Sequence, residues 1–261
     1  DSPYSGEATL RRIWSLRGRD ENDAALALVD GALQKTPDDI GFMVEKADIL
    51  HDQGKDSEAL QVLDGHAKRA GDKDFSWQAW FIEAIVYDSL GRWSDAETAI
   101  AKARAIDGNR PEILNFLGYG WIDHGLHVKE GMDLIRQAMA LDPRSGAVVD
   151  SLGWGYYKLG DYEQALNYIE QAVQMDPSDA EVNDHLGDVY KALGRNVEAG
   201  YEWQRVLTLQ ATDKETASVK AKIEANAAVV AEASGLTKPL PVKTETTALN
   251  DPAPAKTKTS R

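Results

Sequence analysis

The stretch SLGWGYYKLGDYEQALNYIEQAVQMDP, Ser151 to Pro177, decides the fold, because HLGDVYKALGRNVEAGYEWQRVL, His185 to Leu207, lies over it at a shift of 34 residues. Leu152, Gly153, Tyr156, Gly160 and Ala165 fall on Leu186, Gly187, Tyr190, Gly194 and Ala199. A fixed period of this length marks stacked supersecondary units, each too small to bury its apolar face alone. Carried backwards, the register divides the chain into units at 6–39, 40–73, 77–110, 111–145, 146–179 and 180–213. The 111–145 unit carries one extra residue in its inner turn, between Leu126 and Lys129, and Asp74 to Ser76 intervene before 77. The pattern is strongest over 111–213. In 6–73 only Ala25, Ala32, Pro37, Gly54 and Ala59 hold it.

Each unit reads as two amphipathic helices joined by a short turn at a glycine: Gly54, Gly91, Gly125, Gly160 or Gly194. Glycine there can take the left-handed conformation that ends a helix. Small residues at the eighth position (Ala47, Ala84, Gly118, Gly153, Gly187) let the first helix approach its partner closely. Ala59, Ala96, Gly131, Ala165 and Ala199 do the same from the second helix, with larger side chains between them as knobs in grooves. Pro37, Pro143 and Pro177 stop the second helix. An ordinary helical bundle needs no such register. The expected class is therefore all-α, an α-solenoid of about six helix-turn-helix repeats.

Past residue 213 the register stops. Lys214 to Ser234 reads as one further helix, with Val219, Ile223, Val229 and Val230 as apolar residues, and is expected to cap the last repeat. From Gly235 to Arg261 the composition shifts to Pro, Thr, Lys and Ala, with five basic and two acidic residues, and disorder is expected there. Residues 1–5 read as an N-terminal extension. The first residue is Asp1 rather than Met, so a trimmed chain is expected, from which any targeting segment would already be gone.

Composition narrows function. Lys+Arg total 29 against Asp+Glu 43, a net charge of −14, so a phosphate-neutralising footprint is missing and nucleic acid is not an expected partner. The absence of cysteine removes disulfides, thiolate metal sites and a cysteine nucleophile. No apolar run reaches the roughly 18–20 residues that span a bilayer. His124 and His127, beside Asp123 in the inner turn of the fourth unit, could lend ligands to a metal, but their spacing is not that of a helical metal motif. Asp184, His185 and Asp188 share a helix, yet His185 precedes the core residue Leu186 and is expected to pack between units. No serine elbow, phosphate loop or dinucleotide fingerprint is present. Neither enzymatic activity nor a cofactor or metal is expected.

The pattern of Leu, Gly, Tyr, Gly and Ala over 6–213 resembles the tetratricopeptide repeat (TPR) family. The resemblance implies a right-handed solenoid whose first helices line a concave groove. It points the second, fifth, ninth and twelfth positions of each first helix into that groove. Here these are Asn115, Tyr119 and Ile122, then Asp150, Trp154 and Tyr157, then Glu181, Asp184, Asp188 and Lys191. Earlier units contribute Asp48, His51, Phe81, Ile85 and Asp88. Two readings compete for Tyr119, Trp154 and Tyr157: packing in the core, or exposed anchors for a partner. Leu152, Tyr156, Leu186 and Tyr190 already supply core positions, which favours the anchors. Asp150, Asp184 and Asp188 are expected to flank them, and Asp184 and Asp188 repel each other one turn apart. Such a groove suits a protein or peptide with apolar anchors and basic residues. It does not suit the chaperone carboxylate tails that some TPR domains hold with cations, since Asp150, Trp154 and Asp184 stand where cations would be needed.

The segments ILNFLGYGWIDHG, VVDSLGWGYYKLGDYEQALNYIEQAV and VNDHLGDVYKALGRNVEAGYEWQRVL are similar to the last repeats of long TPR proteins of proteobacteria, many of them envelope lipoproteins. The residues that carry it are Leu117, Gly118, Tyr119 and Trp121, then Asp150 to Trp154, Asn183 to Gly187, and Trp203. Some relatives of that type bring substrates to a carboxyl-terminal processing protease. The resemblance implies an adaptor or scaffold of the periplasm or cell envelope, with the cytoplasm as the alternative. It departs from the lipoproteins in having no lipidated cysteine. A role in self-assembly, through the solenoid ends or convex face, is the alternative function.

Overall fold

The computed structural model describes residues 5–70, 75–209 and 211–233. The tail at 235–261 and all of the expected extension except Ser5 lie outside them. The described residues form thirteen α-helices and no strand, in six pairs followed by a last helix. The pairs are α1 (Ser5–Arg17) with α2 (Asn22–Leu33), α3 (Ile40–Asp52) with α4 (Asp56–Ala70), and α5 (Trp77–Ser89) with α6 (Trp93–Ile106). They continue with α7 (Pro111–Asp123) and α8 (Val128–Leu141), α9 (Gly146–Lys158) and α10 (Tyr162–Met175), and α11 (Ala180–Ala192) and α12 (Asn196–Val206). Helix α13 (Asp213–Ala233) packs on α12.

The first helices start where the sequence can satisfy their orphan amides. Asp39, Ser76, Ser145 and Asp179 accept hydrogen bonds from the N–H groups of Phe42, Ala79, Val148 and Val182. Helix α7 opens instead on Pro111, which has no amide hydrogen to satisfy. At the other end, each inner turn closes in one way. The amides of Lys55, Arg92, Leu126, Asp161 and Arg195 reach back to the carbonyls of Leu50, Tyr87, Trp121, Tyr156 and Tyr190 at 2.8–3.0 Å. Gly54, Gly91, Gly125, Gly160 and Gly194 take φ between 65° and 79° just before those amides. The first pair repeats this turn without a glycine: Glu21 N–H reaches Leu16 O at 3.0 Å, and Asp20 takes the turn position at φ 61°.

Packing depends on the small residues. A Cβ on Gly118 would lie 2.7 Å from the Gly131 carbonyl oxygen, and one on Gly131 would lie 2.6 Å from that of Gly118. The backbones of α7 and α8 thus touch, which an extra methyl would forbid. At Gly187 the space is filled by the Trp203 indole, 2.4 Å from where a Cβ would stand, so that pair meets through a ring. The core runs along the chain as linked clusters. One extends from Met43 through Ile100, Ile113 and Ile135 to Trp154. The next runs from Val149 through Ile169 and Trp203 to Val219 and Ile223 of α13. A smaller one joins Ile13, Val29 and Ile49 at the N-terminal end. First helices lie side by side, α1 on α3, α3 on α5, α7 on α9 and α9 on α11, and Phe81 of α5 meets Phe116 of α7.

Two substitutions test this account in opposite directions. Asp20→Gly relieves a left-handed aspartate and should raise stability by about 0.5–1 kcal/mol. Gly118→Ala forces α7 off α8 and should lower it by about 1–3 kcal/mol. Chemical denaturation of the two variants beside the parent chain checks both signs.

Candidate functional site

The face made by the first helices is tied across by polar contacts at four of its neighbouring pairs. Arg17 of α1 holds Glu45, Asp48 and Asp52 of α3, at 3.2 Å to Glu45 and 2.5–2.8 Å to the other two. Trp154 Nε1 of α9 donates to Asp123 Oδ1 of α7 at 3.1 Å, and Lys158 Nζ reaches the same carboxylate at 3.1 Å. His185 Nδ1 of α11 lies 2.8 Å from Asp150 Oδ2 of α9. Lys222 of α13 spans Asp184 and Asp188 of α11 with contacts of 2.7–2.8 Å. One tie skips a helix: Tyr119 OH of α7 donates to Glu181 Oε1 of α11 at 2.6 Å, across α9.

These contacts revise several of the expected groove residues. Trp154 is only 7% exposed, and it stacks on Tyr157 at 4.5 Å and on His185 at 4.0 Å. It is a packed wall between repeats, and the expectation of an exposed anchor is corrected. Flat rings stacked on both faces leave an indole no surface for a partner. Asp150 is buried at 4% exposure against His185, so it does not flank a groove. Ile122 is fully buried and packs in the core. Asp184 and Asp188 do lie on the face, but Lys222 already answers their mutual repulsion. Tyr157 is half-buried beneath the Trp154 ring. Of the earlier positions, Asp48 belongs to the Arg17 cluster, and His51 Nδ1 pairs with Asp56 Oδ1 at 2.7 Å. Lys191 Nζ holds Asn196 and Asn226 at 2.8 and 2.9 Å. His124 stacks on Trp93 at 4.7 Å, and His127 meets the edge of Trp121. Both turn histidines are spent on indoles.

An open concave pocket of about 290 Å³ lies between α5, α7 and α9. Phe81, Phe116, Tyr119 and Val148 form its apolar walls, and Asn115 stands among them. Phe81 and Phe116 meet edge to face at 5.8 Å. The Asn115 carbonyl oxygen is buried and has no hydrogen-bond partner. Asn115, Tyr119 and Phe81 are thus brought together as groove residues, and Phe116 joins them from a position the groove pattern omits. Lys222 was also missed. It stands at the ninth position of a unit begun at 214, so extending the register one unit further would have found it. Trp14 occupies the ninth position of the first unit, 51% exposed with its Nε1 on Glu45 at 2.7 Å.

The buried His185 dominates the electrostatics. Burial alone would lower its pKa, but the charge and hydrogen bond of Asp150, with Glu181 and Asp184 adding, outweigh that and push it up to about 9. The Tyr119 phenol is pushed well above its ordinary range by burial and then by Glu181, so it stays a neutral donor. The sign for stability follows. A histidine whose pKa rises on folding stabilises the fold fully below its unfolded value near 6.5. That contribution is lost as pH climbs through about 9. Urea titrations from pH 6 to 10 should show the parent chain losing a few kcal/mol over this window, with the loss largely absent in His185→Gln. Equal slopes in the two proteins would mean that the imidazolium–Asp150 pair does not form.

Comparison with known proteins agrees with this architecture. A Tetratricopeptide repeat family model matches residues 10–75 and 151–214. No curated protein sequence matches the chain significantly. Among solved structures, the chain is similar to the APC/C hetero-tetramer Cut9–Hcn1, with a TM-score of 0.69 and 16% identity, over 84% of this chain and 42% of that one. It is similar to a tetratricopeptide repeat protein from Parabacteroides merdae, with a TM-score of 0.59 and 16% identity, over 89% and 93% of the two chains. It is also similar to human IFIT1, seen as a dimer with m7Gppp-AAAA, with a TM-score of 0.65 and 16% identity, over 79% and 51%. The chain thus spans about half or less of the length of the Cut9–Hcn1 and IFIT1 chains. At such identities these likenesses concern the fold alone. The 34-residue register, the paired helices with their shared turn, and the family match together identify 10–75 and 151–214 as tetratricopeptide repeats within an all-α repeat solenoid.

Proposed function

We propose that the chain is a protein-binding adaptor or scaffold that seats a segment of its partner on the concave face, at the pocket between α5, α7 and α9. The observation that carries this reading is the open aromatic pocket with the unpaired Asn115 oxygen, on a face where Arg17, Lys158, His185 and Lys222 are tied to carboxylates. A stacked solenoid offers its partner a long preformed surface at little ordering cost. The partner expected is a protein with apolar anchors and basic residues, since the chain carries a net charge of −14. Nucleic acid fits this face poorly, even though the IFIT1 neighbour is seen with a capped RNA. The groove cations Arg17, Lys158 and Lys222 are each committed to carboxylates. The similarity of 111–210 to the repeats of proteobacterial envelope proteins supports a periplasmic or envelope setting, with partners brought to another protein such as a protease.

The test is a titration of the identified partner against single substitutions. Tyr119→Ala or Phe81→Ala should weaken binding by about 2 kcal/mol or more, roughly thirtyfold, if the pocket holds the anchor. Asp184→Asn should change affinity little, because its charge faces Lys222. Unchanged affinity in the two pocket variants, with helicity intact, would remove the pocket as the site. Trp154→Ala is not a binding probe, since opening a buried cavity of that size costs about 3–5 kcal/mol of stability.

A further inference from the structure

The same pocket carries a narrower inference about what enters it, which rests on the adaptor reading. We propose that its occupant is a cationic side chain of the partner, arginine or lysine, held between aromatic rings and carboxylates. At about 290 Å³ the pocket lies at the lower limit of small-molecule sites, a size that suits one long side chain. Its walls put the faces and edges of Phe81, Phe116 and Tyr119 around one space, and aromatic faces attract cations.

The polar groups have one sign. Glu112 and Asp142 stand at the lining, and Asp142 Oδ1 accepts only the backbone N–H of Arg144, at 3.2 Å, among the described residues. The Asn115 carbonyl oxygen is buried and lacks a donor. The hydroxyl proton of Tyr119 is spent on Glu181, which leaves its oxygen free to accept. No lysine, arginine or histidine lines the pocket. Two arginines flank the lining in sequence: the Arg110 guanidinium lies 4.6 Å over the Trp77 ring with its Nε on Asp107 at 2.7 Å, and Arg144 donates its backbone N–H to Asp142 Oδ1 at 3.2 Å.

A purely apolar occupant such as leucine would fill the walls but leave the Asn115 oxygen buried and unpaired. An anionic one would meet Glu112 and Asp142. A guanidinium or ammonium on an aliphatic stem satisfies all three features at once: stem against Val148, charge over the rings, and N–H groups to Asn115 and the carboxylates. Another acidic place on this face, Asp184 with Asp188, is filled in this way by the chain's own Lys222, whose ammonium also lies 5.9 Å over the Trp203 ring.

The test uses three capped tripeptides, acetyl-Gly-Arg-Gly-amide, acetyl-Gly-Lys-Gly-amide and acetyl-Gly-Leu-Gly-amide. Each is titrated to millimolar concentration into the full chain while the NMR signals of the Asn115 side-chain amide and the Phe116 and Tyr119 rings are followed. The arginine or lysine peptide should shift these signals to saturation, about tenfold more tightly than the leucine peptide. Asn115→Leu and Glu112→Gln should each weaken that binding by about fivefold, and added salt should weaken it further. Leucine binding as tightly as either cation, or neither cationic peptide shifting these signals, would overturn the proposal. The adaptor reading is judged apart from this, by whether Tyr119→Ala and Phe81→Ala weaken a partner protein.

Discussion

The contact on which the rest of the molecule depends is the approach of the two helices within each repeat, closest in α7 and α8, where Gly118 and Gly131 bring backbone against backbone. Once a pair is that tight, each first helix has one side committed to its own partner and one side left for its neighbours. Stacking then follows from the need to bury Ile100, Ile113, Ile135 and Ile169, which no single pair can cover. The groove is a by-product of this stacking. First helices sit side by side, and whatever their outer positions carry becomes one surface. Where the gap is wider, an indole fills it: Trp203 at Gly187 and Trp93 at Gly120, the latter stacked in turn on His124.

Stacking alone would leave neighbouring repeats free to slide, and the polar ties fix their relation. The Arg17 cluster, the Asp123 contacts of Trp154 and Lys158, the His185–Asp150 pair and the Lys222 bridge each join one first helix to the next. The Tyr119–Glu181 hydrogen bond joins helices two repeats apart and so bears on curvature as well as spacing. His185 is the most costly of these groups to bury, and Asp150 together with the Trp154 face is what makes a charged ring tolerable there. The face is therefore acidic in composition but largely neutralised by contact, and its chemistry is concentrated in the central pocket.

The solenoid was legible in the sequence because it rests on short-range rules: a period, a turn glycine, small residues at two positions. Even the first repeat obeys them, although Asp20 in place of glycine hid its turn. The site was only partly legible. Asn115, Tyr119 and Phe81 share register positions that do face the groove. Trp154 shares the position of Tyr119 and is nonetheless packed, because His185 of the following helix lies on it at 4.0 Å. A single-repeat pattern says which way a side chain leaves its own helix. It does not say what the next repeat places over it. The acidic pair failed for the same reason: Asp184 and Asp188 look free until α13 brings Lys222.

The central claim is that a protein partner sits on the pocket between α5, α7 and α9. The most direct measurement puts a photo-crosslinking phenylalanine analogue at Phe81, in the pocket wall, and at Asp133, exposed on the second helix α8. Illumination in the native extract, followed by mass spectrometry, should yield one adduct partner from position 81 and none of it from position 133. Adducts with that partner from position 133 alone would contradict the account and move the binding surface to the second helices.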